Sequence, residues 1–264
     1  MFPIRDHNPS QSTPWVTYAL IALNVGVFVS YYGLFANEAW LYAFFADWAL
    51  IPAQLTSGGS WVPLLTSMFL HGGLLHLGGN MLFLYIFGDN LEEAFGRLGF
   101  LAFYLACGVA AALAQVLPNP GSAIPMVGAS GAIAGVMGGY LLLFPRARVD
   151  VLVIIVVIVR VVPLPAFAML GLWLLLQAVG GFTIASDGGG VAYLAHVGGF
   201  AAGVALAAPW SLRQGGPAFW RRLHGAPPHP PAPARLRPRP FPSRASPARS
   251  RDGPAPSPDG RSRC

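Results

Sequence analysis

"VDVLVIIVVIVRVV", residues Val149 to Val162, decides how this chain is threaded. The stretch is rich in Val and Ile, yet only 11 residues precede Arg160, and Pro163 and Pro165 follow. A helix that crosses a bilayer needs about 20 mostly apolar residues. The segment therefore reads as interfacial or re-entrant, leading into the next helix rather than spanning. One more crossing at this point would reverse the direction of everything after it.

Working outward, the composition puts the chain in a membrane. Of 264 residues, 55% are apolar and 10% are charged, against about 25% charged in soluble domains. Six stretches are long and apolar enough to be candidate spans: Trp15–Phe35, Leu64–Phe87, Leu98–Leu117, Val127–Phe144, Pro165–Phe182 and Gly190–Trp210. The first is too long for a signal peptide and lacks a small-residue cleavage site after it. The two cysteines, Cys107 and Cys264, supply neither a disulfide framework nor a metal-ligand spacing.

Arginine placement tests the count. With the N-terminus inside, six spans leave Arg5, Arg97, Arg146, Arg148 and Arg160 on the inner side, and only acids (Glu38, Asp47, Asp187) in the outer loops. That distribution obeys the positive-inside rule. From Pro209 onward, 11 arginines stand against two acids and 14 of the 25 prolines occur. Such a segment buries too little apolar surface to fold, so residues 211–264 are expected to be a disordered basic tail on the cytoplasmic side, facing anionic lipid rather than nucleic acid. The expected organisation is an N-terminal segment over 1–13, a helical membrane domain over 14–210, and this tail.

In the six-span arrangement the second, fourth and sixth helices enter from the outside. Their opening stretches carry His71, His76 and Asn80, then Ser130, then His196. Polar residues within spans are costly and face a bundle interior or a wet cavity. Three separated segments thus put their polar groups at one depth.

A serine hydroxyl is a weak nucleophile without a base in reach, and His196 is the natural base for Ser130. No carboxylate lies in the outer half of any span, so a two-residue dyad is what these residues permit. Small residues repeat every four positions at Gly131, Gly135 and Gly139, and again at Gly199, Gly203 and Ala207. Such strips let two membrane helices pack backbone to backbone. The N–H groups at the start of the fourth helix, with His76 and Asn80 on one helix face, can donate to a developing oxyanion. His71, off that face, reads as structural. The bland alternatives are a packing serine and histidines that serve as hydrogen-bond partners between helices. A metal site lacks both the His-Glu-x-x-His pattern and a neighbouring carboxylate.

"FLHGGLLHLGGNMLFLYIFGDNLEEAFGRLGF" (Phe69 to Phe100), "VGASGAIAGVMGGYLLLFPRARV" (Val127 to Val149) and "AHVGGFAAG" (Ala195 to Gly203) resemble, in this order, the rhomboid family of intramembrane serine proteases. The resemblance implies an all-α membrane protein, a six-helix bundle of the bacterial type. It also implies a Ser–His dyad that hydrolyses peptide bonds in or near transmembrane segments of protein substrates, without cofactor or metal. Ser130 matches the family's nucleophile, His196 its base, and His76 and Asn80 its oxyanion-stabilising pair. His71 matches a further family histidine, and Gly128 and Gly131 flank the nucleophile. Ala134 stands where some members carry a tyrosine stacked on the base, and "GGSWVP" (Gly58 to Pro63) where some carry Trp-Arg. The expected location is a bacterial plasma membrane with both termini cytoplasmic. The alternative is a non-catalytic relative that binds membrane helices.

Overall fold

The computed structural model describes residues 2–155, 158–183 and 192–223. Strand β1 (Phe2–Asp6) leads to α1 (Trp15–Tyr31), which ends in a 3-10 turn over Tyr32–Ala36. The short helices α2 (Glu38–Trp48), α3 (Pro52–Thr56) and α4 (Pro63–Thr66), with a 3-10 turn at Ser67–Phe69, fill the first long connection. Three long helices follow: α5 (Leu74–Phe95), α6 (Arg97–Val116) and α7 (Ser130–Leu143). Strands β2 (Arg148–Ile155) and β3 (Ile158–Pro165) then precede α8 (Ala166–Thr183), α9 (Tyr193–Arg213) and α10 (Pro217–Leu223).

The mostly helical bundle expected from the sequence is present, and among the described residues each of the six apolar stretches overlaps one of the helices α1, α5, α6, α7, α8 and α9. By length and apolarity, α1 with its turn, α6 and α9 can each cross a bilayer. The second stretch is broken. Pro63–Phe69 and Leu74–Phe95 meet at 93°, where Gly72 and Gly73 interrupt the helix, and α5 runs on to Phe95, beyond the expected end at Phe87.

Helix α7 has only 14 residues, and the side chains from Gly131 to Tyr140 are all buried. A helix that is apolar on every side belongs in the centre of a core, and α7 lies among α5, α6, α8 and α9. Its contact with α9 is backbone on backbone. A Cβ at Gly199 would overlap the Gly131 carbonyl, one at Gly203 the Gly135 carbonyl, and one at Gly138 the Phe200 carbonyl. The matching small-residue strips do what their spacing implies.

Helix α1 is anchored through its end. Pro14 caps it without a side-chain hydrogen bond. Instead, the buried carboxylate of Glu92 on α5 accepts from Val16 N–H (2.9 Å), Thr17 N–H (2.8 Å) and the Thr17 hydroxyl (2.9 Å). An acid there satisfies orphan amides and complements the positive end of the helix dipole.

Within Val149–Val162 the described residues form strands β2 and β3, a conformation the interfacial or re-entrant reading did not name, and they lead into α8 as that reading expects. β2 pairs antiparallel with β3 and, on its other side, with β1, in the order β1-β2-β3. The run of β-branched residues favours a pleated strand. Leu152 stands opposite both Phe2 and Val161, while Val149 and Val151 join the main core. The partner strand that makes a three-stranded sheet comes from the first residues of the chain, distant in sequence. Open sheet edges are not tolerated in hydrocarbon, which argues against a seventh crossing here.

Polar contacts pin this sheet to the helices. Asp150 accepts from Arg5 Nη2 (2.8 Å) and pairs with His7 Nε2 at 2.8 Å. Tyr140 on α7 donates its hydroxyl to Asp6 Oδ2 at 2.7 Å. Burial raises the Asp6 carboxyl to about 7, against the Tyr140 hydrogen bond that favours the anion, with the nearby Asp89 carboxylate adding repulsion. The folded protein therefore holds the Asp6 proton that the unfolded chain releases from about pH 4 upward. Stability from this group is full below pH 4, falls as pH rises to about 7, and is level above that. Asp6→Asn should accordingly raise the unfolding temperature relative to wild type by an amount that grows from pH 4 to 7 and then stays constant. Thermal unfolding in detergent across that range measures it.

The first residues of the expected tail are helical: α9 runs to Arg213 and α10 covers Pro217–Leu223. Ser211 is buried within α9, and in α10 Phe219 is buried and the Trp220 indole N–H donates to Leu142 O (2.9 Å). The expectation of disorder for the rest of the tail falls outside the described residues.

Candidate active site

Ser130 is the first residue of α7, three positions later than the expected start of that helix. Ala129 before it makes no side-chain cap, so the first N–H groups of α7 have no acceptor within the helix. His196 lies in the first turn of α9 and is buried. Because the glycine strips bring α7 and α9 to backbone contact, Ser130 Oγ and His196 Nε2 stand 2.8 Å apart.

The other face of the imidazole is held by α8. Gln177 Oε1 lies 2.8 Å from His196 Nδ1, and the Trp173 ring sits against the imidazole with centroids 5.6 Å apart and planes tilted by 37°. Sequence reasoning does not bring out either residue. The available signal was a lone amide, four residues after a tryptophan, near the far end of an otherwise apolar stretch.

His76 and Asn80 lie one turn apart on α5, as their spacing implies. Gly72 N–H donates to His76 Nδ1 at 3.4 Å, which leaves Nε2 to carry the ring hydrogen. That nitrogen points toward Gly128 and Ser130. A Cβ placed on Gly128 would lie 2.8 Å from His76 Nε2 and 3.5 Å from Ser130 Oγ. Gly128 also has φ +131°, which side chains rarely adopt, so two independent reasons demand glycine there. Asn80 is buried and its Nδ2 has no partner among the described residues, an orphan donor on the wall of the cavity that Ser130 also lines.

A cavity of about 1030 Å³ opens on Ser130, His196, His76, Asn80 and Trp173, and extends to Gln115, Met126 and Tyr193. His71, Gly128 and Gly131 are not among the residues that border it. They build the wall from behind. His71 is fully buried, its ring 5.1 Å from that of His76 in an edge-on arrangement. Its main chain is clamped by Tyr31, whose hydroxyl donates to His71 O (2.8 Å) and accepts from His71 N–H (2.6 Å). At Gly131 a Cβ would press on Ala111 of α6. All five residues expected to share one depth, His71, His76, Asn80, Ser130 and His196, are brought into one neighbourhood.

Comparison with known proteins finds relatives over the same part of the chain. A family model described as "Rhomboid domain" matches residues 58–213. Over 130 residues the chain is 38% identical to Rhomboid protease GluP of Bacillus subtilis, covering 48% of this chain and 24% of that protein. Over 197 residues it is 30% identical to Rhomboid protein 1, mitochondrial, of Saccharomyces cerevisiae, covering 72% of this chain and 51% of that one. Over 76 residues it is 43% identical to Rhomboid-like protein 11, chloroplastic, of Arabidopsis thaliana, covering 29% and 27%. The chain thus spans from about a quarter to about half of the length of these curated relatives.

Proposed function

The chain belongs to the rhomboid family, and on that premise we propose that it is an intramembrane serine endopeptidase working through a Ser130–His196 dyad. The observation that carries the reading is the 2.8 Å approach of Ser130 Oγ to His196 Nε2 at the edge of a cavity. His196 takes the hydroxyl proton as Oγ attacks the scissile carbonyl, and returns it to the leaving amine. During the attack the oxyanion develops beside the N–H groups at the start of α7, His76 Nε2–H and the unpaired Asn80 amide. Donors preorganised for that charge lower the barrier most in a site that excludes bulk water. A retained serine and base speak against the non-catalytic alternative.

In this reading the chain crosses a bacterial plasma membrane six times, with both termini in the cytoplasm and the dyad near the outer face. The arginine distribution supports that orientation. The domain runs from 14 into α10, with the sheet as its cytoplasmic cover, and the basic tail follows. Partners are transmembrane protein substrates and the surrounding lipid.

A backbone hydrogen-bonded within a helix is shielded from attack, so the scissile bond must leave its helix. Substrates with Gly or Pro and small residues near the outer end of a transmembrane segment are therefore expected to be cleaved. The test is a liposome assay of purified enzyme against paired segments that differ only in such residues. The Gly/Pro members should be cut and their all-Leu counterparts spared. Cleavage of neither, or of both equally, would contradict the substrate rule.

A further inference from the structure

We propose that Gln177 is the positioning residue of the dyad: its side-chain oxygen accepts the Nδ1–H of His196 and so presents the Nε2 lone pair to Ser130. This role rests on the reading of Ser130 as nucleophile and His196 as base.

A neutral imidazole carries one N–H, and the partner of one nitrogen decides which. Gln177 Oε1, 2.8 Å from Nδ1, is only an acceptor, so the hydrogen resides on Nδ1. The nitrogen facing Ser130 Oγ at 2.8 Å is then free to receive its proton. The opposite tautomer would point an N–H at the hydroxyl and could not act as a base. Trp173 precedes Gln177 by four residues on α8, so both project from one face. The Trp173 ring fixes the plane of the imidazole, and the Gln177 amide fixes its rotation and its hydrogen. From α7, Ala134 offers only a methyl group, so α8 supplies what that helix does not. The device differs from a carboxylate-supported triad in one respect. A neutral amide chooses the tautomer without adding a charge that stabilises the imidazolium.

The experiment uses full-length protein in lipid, labelled with [15N]histidine, and reads the imidazole nitrogens by NMR, with His196 assigned by comparison with His196→Ala. Wild type should show Nδ1 protonated and Nε2 bare, and Gln177→Leu a mixture of tautomers. In the liposome assay Gln177→Leu should lower kcat about tenfold, the worth of one lost hydrogen bond, with KM unchanged. Gln177→Glu keeps an acceptor and should restore kcat. Its added charge should also move the acid limb of the pH–rate profile to higher pH. A wild-type spectrum with Nε2 protonated overturns the proposal whatever the variants do, as does a Gln177→Leu enzyme with wild-type tautomer and kcat. The spectrum does not depend on turnover. If Ser130→Ala cleaved like wild type, the dyad reading would fail while the tautomer assignment stood on its own measurement.

Discussion

Ser130→Ala is expected to abolish cleavage of a transmembrane substrate while leaving the folded protein intact. Removing the nucleophile from a serine protease that retains its oxyanion donors lowers kcat by on the order of 10⁶, which in a liposome assay reads as no product. The structural loss is small. Among the described residues the Ser130 side chain makes one hydrogen bond, to His196, worth about 0.5–1.5 kcal/mol net, and alanine has a high helix propensity. The unfolding temperature should stay close to that of wild type. This separation of activity from stability is what distinguishes a nucleophile from a packing serine.

The second large effect is expected at Gly203, which touches no part of the site. Gly203→Val places a branched side chain where the Gly135 carbonyl of α7 already lies. Backbone cannot swing aside as a side-chain tip does, so the two helices must separate. Overpacking costs about 1–3 kcal/mol even where side chains adjust, and this site belongs at the upper end or beyond it. The dyad bridges the same two helices, and a shift of about 1 Å at reacting atoms costs about 10²-fold in rate. Both the unfolding temperature and kcat should therefore drop. Gly26→Ala on α1 is the control, because nothing lies within 4 Å of a Cβ there. Relief of the glycine penalty, about 0.5–1 kcal/mol in a helix, should leave the protein as stable or slightly more so, with activity unchanged. Equal behaviour of the two variants would contradict the close α7–α9 contact.

Much of this arrangement was legible in the residues. Polar groups are rare in apolar spans, so His76, Asn80, Ser130 and His196 stood out, and the four-residue glycine spacing named the two helices that bring the last pair together. What escaped the reading did so for identifiable reasons. Gln177 and Gln115 sit at the ends of their spans rather than the beginnings. Both nonetheless border the same cavity or its rim: Gln115 lines it, and Gln177 reaches His196 from α8. The depth argument applied to only half of the helices therefore missed both. The hairpin at 148–165 escaped because its third strand, Phe2–Asp6, lies at the other end of the chain, and a short apolar run does not reveal a distant partner. The break before α5 was signalled by Gly72 and Gly73. Its geometry, two helices meeting at 93° with the His71 backbone held at the break by the Tyr31 hydroxyl, involves a contact with no local signature. The Glu92 cap on α1 is similarly long-range, although the acids Asp89, Glu92 and Glu93 at the end of an apolar helix mark a place where some helix start needs neutralising.

The central claim is that one hydroxyl, activated by one imidazole, performs the chemistry. The most direct measurement treats the reconstituted protein with a fluorophosphonate that reacts only with activated serines, and maps the adduct by mass spectrometry. The predicted result is a single phosphonylated residue, Ser130, with labelling lost in His196→Ala. An adduct on any other serine, or undiminished labelling of Ser130 without His196, would contradict it.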